Sequence, residues 1–217
     1  MEKFDLDRFA AITGLVMLAV AAVIVVVRIA YNWRRNEHSE KCRVSRRLKR
    51  FAAPRGFRVL DDVKLEANGQ TGWADHILIG YFGVLLVYDI IFAGDYYGKP
   101  GDKYWSLGVP GQGRYRMENP LLQADRCAGR VLYLLHEAGI KLPSPEHAVV
   151  ITAAKRGVTS YIKSEDVVQF SELGKLLGRT KFQQDRDVDV EKVAEVLAAA
   201  QASPEKFHSG RDRKADG

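Results

Sequence analysis

Nineteen consecutive residues, Phe9 to Val27, carry no charge in a chain of 217. A helix rises ~1.5 Å per residue, so about 20 apolar residues match the ~30 Å hydrocarbon core of a bilayer. The run continues through Ile29 and Ala30 and predicts a single transmembrane helix over 9–30, behind a short tail, 1–8. Tyr31 and Trp33 are residue types that settle at headgroup level, and Arg28 can snorkel. A cleaved secretory signal is the competing reading. It is opposed by a net-acidic leading segment and by the lack of a small-residue cleavage site. A buried soluble helix would need a polar face, which this run does not have.

The net charge of +6 is concentrated in one place. Residues 28–58 hold eleven Lys/Arg against Glu37 and Glu40, a balance of +9, whereas residues 59–217 balance at −2. Seven Lys/Arg lie within 20 residues after Val27 and two precede Phe9, so the positive-inside rule places the C-terminal domain in the cytoplasm of a single-pass protein. Membrane lipid is thus the expected partner of residues 9–35, with the basic segment 31–58 against an anionic leaflet. Arg46, Arg47, Lys49 and Arg50 are the candidate contacts to lipid or to nucleic acid. Two cysteines, Cys42 and Cys127, have neither disulfide-scaffold nor zinc spacing.

Beyond the anchor the pattern alternates between helix and strand. Residues 36–52 form a helix with Val44, Leu48 and Phe51 on one stripe, stopped by Pro54 and Gly56. Strands are expected at Phe57–Leu65, Trp73–Ile79 and Val84–Phe92, with a hairpin turn at Asn68-Gly69. Residues 93–118, rich in glycine, proline and tyrosine, read as a long loop with up to two short strands. Asn119-Pro120 opens a helix that runs to about Ala138. His147–Ala153 is a buried strand. Short strands follow at Tyr161–Ile162 and Val167–Phe170, then helices from Ser171 to about Leu177 and from Val188 to Ala200. A polar, disordered tail is expected over 203–217. This order predicts an α/β sandwich around one mixed sheet, with helices over residues 171–202 closing the chain.

Helix 36–52, the β-meander, Trp73-Ala74-Asp75-His76-Ile77 and Asn119-Pro120-Leu-Leu-Gln123 together resemble the nuclease-related domain (NERD) family, over roughly 36–170. The resemblance implies an α/β fold of the restriction-endonuclease-like, PD-(D/E)XK type, a mixed sheet flanked by helices behind the transmembrane helix. It also implies a site. The helical Glu matches Glu40, the metal-binding Asp matches Asp75, and the helical Gln matches Gln123. The family's Glu-x-Lys falls on Tyr88-Asp89-Ile90, where neither the carboxylate nor the amine is present.

Phosphodiester hydrolysis needs carboxylates to hold Mg²⁺, which activates water, and an amine to assist it. Tyr88 and Ile90 supply neither, so the site is expected to be degenerate. In a regular strand Asp89 faces away from Tyr88, and His76 faces away from Asp75. A β-bulge would turn Asp89 inward, leaving an active alternative in which Asp75 and Asp89 hold Mg²⁺. Otherwise no cofactor is expected. The partners left open are DNA or RNA, and a protein partner if the fold serves as a tethered interaction module. Arg114, Tyr115 and Arg116 are equally open between phosphate contact and simple solvation.

Overall fold

The computed structural model describes residues 6–33, 37–152 and 158–201, and side chains over 14–28, 40–152 and 158–201. Helix α1 spans Leu6–Trp33, and its side chains over 14–28 are all exposed. Those residues cover about 22 Å of helix, short of the ~30 Å of a bilayer core. Among the described residues no helix is long and apolar enough to cross a membrane. The side chains of Tyr31 and Trp33 and the tail over 203–217 lie outside the described residues.

Helix α2 (Glu37–Ala52) buries Val44, Leu48 and Ala52 and turns Arg46, Arg47, Lys49 and Arg50 outward. Pro54 and a left-handed Gly56 (φ 68°) end it, because proline lacks the next N–H and glycine carries no Cβ penalty. Strands β1 (Arg58–Ala67) and β2 (Gln70–Gly80) form a hairpin. Its two turn residues, Asn68 (φ 51°) and Gly69 (φ 68°), adopt the left-handed geometry that matches the strands' twist. Strand β3 (Gly83–Ile90) pairs antiparallel with β2 and is buried on both faces.

Three further strands fill the stretch expected to be mostly loop: β4 (Asp95–Tyr97), β5 (Tyr104–Val109) and β6 (Gly113–Glu118). With β8 (Thr159–Ser160) they make a second sheet, in the order β6-β5-β4-β8. The single expected sheet is therefore two. The glycines that suggested a loop sit at turns and close approaches instead. A Cβ on Gly94 would lie 2.5 Å from the Gly108 carbonyl oxygen. Trp105, Leu107 and Tyr96 point into the core, so this sheet has a buried face of its own.

Helix α3 (Pro120–Glu137) begins where expected, with the Asn119 side chain accepting from the Leu121 N–H at 2.9 Å. It returns the chain to β7 (Glu146–Ile151), parallel to β3, and β9 (Val167–Gln169) pairs parallel with β7. The large sheet is mixed, in the order β1-β2-β3-β7-β9. Helices α4 (Leu173–Leu177) and α5 (Val190–Ala199) complete the domain. One core lies between the large sheet, α3, α5 and the small sheet; a second lies between the large sheet, α2 and α4.

Candidate functional site

The large sheet contains an irregularity where the site would be. Leu60 and Val63 both meet the core under α3, although they are three residues apart on β1. Ala74 and Ile77 do the same on β2. Residues two apart share a face on a regular strand, so each strand changes face once. The ladder keeps its register across the change, with Asp61 opposite His76 and Val63 opposite Ala74. The change falls at Asp62, held at a positive φ of 49°, and at Asp75 beside it.

The switch gathers side chains that alternation would separate. Asp75 accepts at Oδ1 from Lys41 Nζ (2.7 Å) and at Oδ2 from the backbone N–H of Asp89 (2.8 Å). His76 donates from Nδ1 to Asp61 Oδ1 (2.7 Å) and from Nε2 to Asp89 Oδ2 (3.0 Å). Asp61 Oδ2 accepts from Ser45 Oγ (2.8 Å) and Lys49 Nζ (2.6 Å). Asp75 and His76 therefore reach the same cluster, although a regular strand would point them apart. Asp89 joins it without a bulge in β3, because the irregularity belongs to β1 and β2.

The cluster holds three carboxylates and three cations. Burial alone would lower the His76 pKa, but its bonds to Asp61 and Asp89 and their charges outweigh that and raise it to about 9. The imidazole is thus a cation at neutral pH, with both ring nitrogens donating. Burial pushes the Asp89 carboxyl up to about 6, against the pull of His76. Asp61, although half-buried, is held well below the usual carboxylate range by His76, Lys49 and Ser45.

Tyr88 and Ile90 belong to the opposite core. Tyr88 donates to the Trp73 carbonyl (2.5 Å), and burial lifts its phenol far above the ordinary range. Two expected members of the site lie elsewhere. Glu40 is paired with Arg43 (2.5 Å), whose guanidinium lies over Phe170. Gln123 donates to Glu118 (2.6 Å) at the start of α3. Lys49, expected to meet lipid or nucleic acid, turns to Asp61, whereas Arg46, Arg47 and Arg50 remain on the exposed side of α2.

Mg²⁺ asks for several unshared carboxylate or water oxygens in octahedral array. Both oxygens of Asp75 are already bonded, and Asp89 offers only Oδ1, which is buried and without a hydrogen-bond partner. Among the described residues no three His, Cys, Asp or Glu side chains are grouped to hold a metal ion. The donor set therefore does not fit the metal that the nuclease pattern implies.

Sequence reasoning missed Lys41, Ser45 and Asp61. For the two helical residues the signal was present: positions 41, 45 and 49 recur every four residues and make a polar stripe beside Val44 and Leu48; for Asp61 there was none.

Compared with curated proteins and with solved structures, the chain gives no significant match. The family model of the nuclease-related domain matches residues 36–152, which include α2, the β1–β3 meander, the whole ionic cluster, α3 and β7. More than half of the chain is covered, in a mixed α/β fold of nuclease-like type, and the protein belongs to the nuclease-related domain (NERD) family.

Proposed function

We propose a nucleic-acid-related role at a membrane surface, on a nuclease scaffold that does not cleave efficiently. One observation carries the second half of this reading: the Lys41 ammonium sits on Asp75, the carboxylate that would hold Mg²⁺, and His76 holds Asp89. The protein's own cations supply the countercharge that a metal would otherwise provide. An incoming ion would have to displace a bonded ammonium and reorganise a half-buried network before any water could be activated. Incubating the full chain in detergent with DNA and with RNA, plus Mg²⁺ or Mn²⁺, tests this. The expected result is no more cleavage than Asp75→Ala gives. Robust metal-dependent cleavage that Asp75→Ala abolishes would establish the active alternative, with Asp75 and a rearranged Asp89 as ligands.

The membrane half rests on the uncharged run and on the +9 balance that follows it. The exposed apolar side chains of α1 between Leu15 and Val27 support it. In this reading α1 spans the bilayer once and the nuclease-related domain lies in the cytoplasm, with lipid as the partner of residues 9–35. Alkaline carbonate washing of membranes is expected to leave the protein in the pellet; release into the supernatant would remove the anchor. The −2 balance of residues 59–217 favours a second reading, a tethered module that binds a protein rather than a phosphate polymer. Crosslinked capture of a protein partner, with no retention of DNA or RNA, would select it.

A further inference from the structure

The outward face of the small sheet carries a different chemistry from the ionic cluster. Tyr104 and Ser106 on β5, Arg114 and Arg116 on β6, and Tyr97 on β4 share that face, opposite the buried Trp105, Leu107 and Tyr96. The Arg116 guanidinium lies 3.8 Å from the centre of the Tyr104 ring, and that of Arg114 lies 5.1 Å from Tyr97. The Lys103 ammonium also lies over the Tyr104 ring, 5.3 Å from its centre. Tyr161 stacks on Tyr97 with ring centres 4.8 Å apart and planes within 5°, and it remains 55% exposed. Along β5 and β6 runs an open groove of about 400 Å³, lined by Lys103, Tyr104, Ser106, Arg114, Tyr115 and Arg116.

The charge on this face is unspent. Among the described residues no carboxylate lies within ion-pair distance of Lys103, Arg114 or Arg116, in contrast to Lys41 and Lys49. Two acids share the face at its ends: Glu118, opposite Tyr104, which accepts from Gln123, and Asp95, opposite Gly108. A guanidinium laid on a ring keeps its N–H edges free and offers a second planar surface. Arg114 and Arg116 are two apart on a strand, ~6.8 Å along it. That step is on the scale of neighbouring phosphates in a stretched polynucleotide.

We propose that the β4–β6 face, with Tyr161, binds single-stranded nucleic acid: Lys103, Arg114 and Arg116 take phosphates, while Tyr161 and the ring-backed guanidiniums take unpaired bases. Exposed planar groups interleaved with unpaired cations form the arrangement that holds a single strand without reading its sequence. A duplex hides its base faces and leaves the rings nothing to stack on. The exposed rings here are tyrosines, and no leucine or phenylalanine stands among the residues of this face for a bilayer to take up. The proposal shares the nucleic-acid half of the proposed function, but it is independent of any cleavage at Asp75.

The test is fluorescence anisotropy of labelled 15-residue dT and U oligonucleotides with the full chain in non-ionic detergent and EDTA. Compared with the wild type are Arg114→Gln/Arg116→Gln, Tyr161→Ala, and the α2 variant Arg46→Gln/Arg47→Gln/Arg50→Gln, each checked for an unchanged thermal melt. We expect the sheet double variant to weaken binding at least ten-fold, Tyr161→Ala about five-fold, and the α2 variant less than two-fold. A blunt duplex should bind at least ten-fold more weakly than either single strand. Loss confined to the α2 variant would overturn this face while leaving a nucleic-acid role in place. Equal binding of duplex and single strand would also overturn it. Binding of neither polymer by the wild type would overturn both this proposal and the nucleic-acid half of the proposed function.

Discussion

Lys41 on α2 and Asp75 on β2 lie 2.7 Å apart, with the carboxylate side chain buried and the lysine side chain 27% exposed. The pair ties the first helix of the domain to the strand pair that changes face. Removing only the cation leaves a buried anion short of a partner. Lys41→Met is therefore expected to destabilise the fold by about 2 kcal/mol, below the ~3–5 kcal/mol of a fully buried pair because water reaches the lysine. Adding Asp75→Asn should recover part of that loss. Chemical denaturation of the two single variants and the double variant measures the coupling, and strict additivity would mean the pair contributes nothing.

His76 makes stability depend on pH from neutral into the mildly alkaline range. Its folded pKa of about 9 stands above the ordinary 6.5, so its contribution is fully present below that ordinary value and is lost as pH rises through about 9. Asp61, held low, contributes above its ordinary 3.8 and loses that contribution as pH falls. Asp89, raised to about 6, works the other way and favours the fold most in acid. The melting temperature is expected to fall as pH rises from about 6.5 to about 9, and His76→Asn should flatten that decline. An unchanged slope in the variant would assign the transition to another group.

Restoring the family's Glu-x-Lys in sequence should not restore a site. Tyr88 and Ile90 point into the core under α3, away from His76 and Asp89. Tyr88→Glu/Ile90→Lys would place two charges among apolar side chains, at a cost of about 5 kcal/mol or more. The expected outcome is loss of a cooperative melt, without gain of cleavage. A soluble, folded double variant that cleaves DNA or RNA with Mg²⁺ would show that these two positions face the site after all.

Gly72 sets the distance between β2 and α3. A Cβ there would lie 2.9 Å from the Cys127 Cα, which is helix backbone and cannot rotate aside. Gly72→Ala is expected to cost about 1–3 kcal/mol, because the helix must move as a body. Gly101→Ala, with nothing within 4 Å of the added carbon, is the matched control and should stay within ~0.5 kcal/mol. Thermal melts of the two variants decide it.

The large sheet was legible because each of its signals is local. Asn68-Gly69 names its turn, Pro54 and Gly56 end α2, and Asn119-Pro120 caps α3. The small sheet was not, because the glycines at 94, 111 and 113 read as loop composition while they serve as turns and close contacts between short strands. At the site, Asp75 was found from the family pattern, and Tyr88 lay on the far side of β3 from Asp89, as alternation requires. Lys41 and Asp61 were missed. Nothing in the order of residues announces that β1 and β2 change face together, since the left-handed Asp62 is a tertiary choice rather than an Asn-Gly or Gly signal.

The face change also divides the hairpin into two environments. Outward of Asp62 and Asp75, residues such as Lys64, Glu66 and Thr71 meet water on one side of the sheet; inward, β2 and β3 are covered on both. The three carboxylates straddle that boundary, with side-chain exposures of 30% for Asp61, 4% for Asp75 and 0% for Asp89. They form a hydration gradient a few residues wide. The imidazole bonds both the most exposed of the three, Asp61, and the most buried, Asp89, so His76 links the wet end of the gradient to its innermost charge.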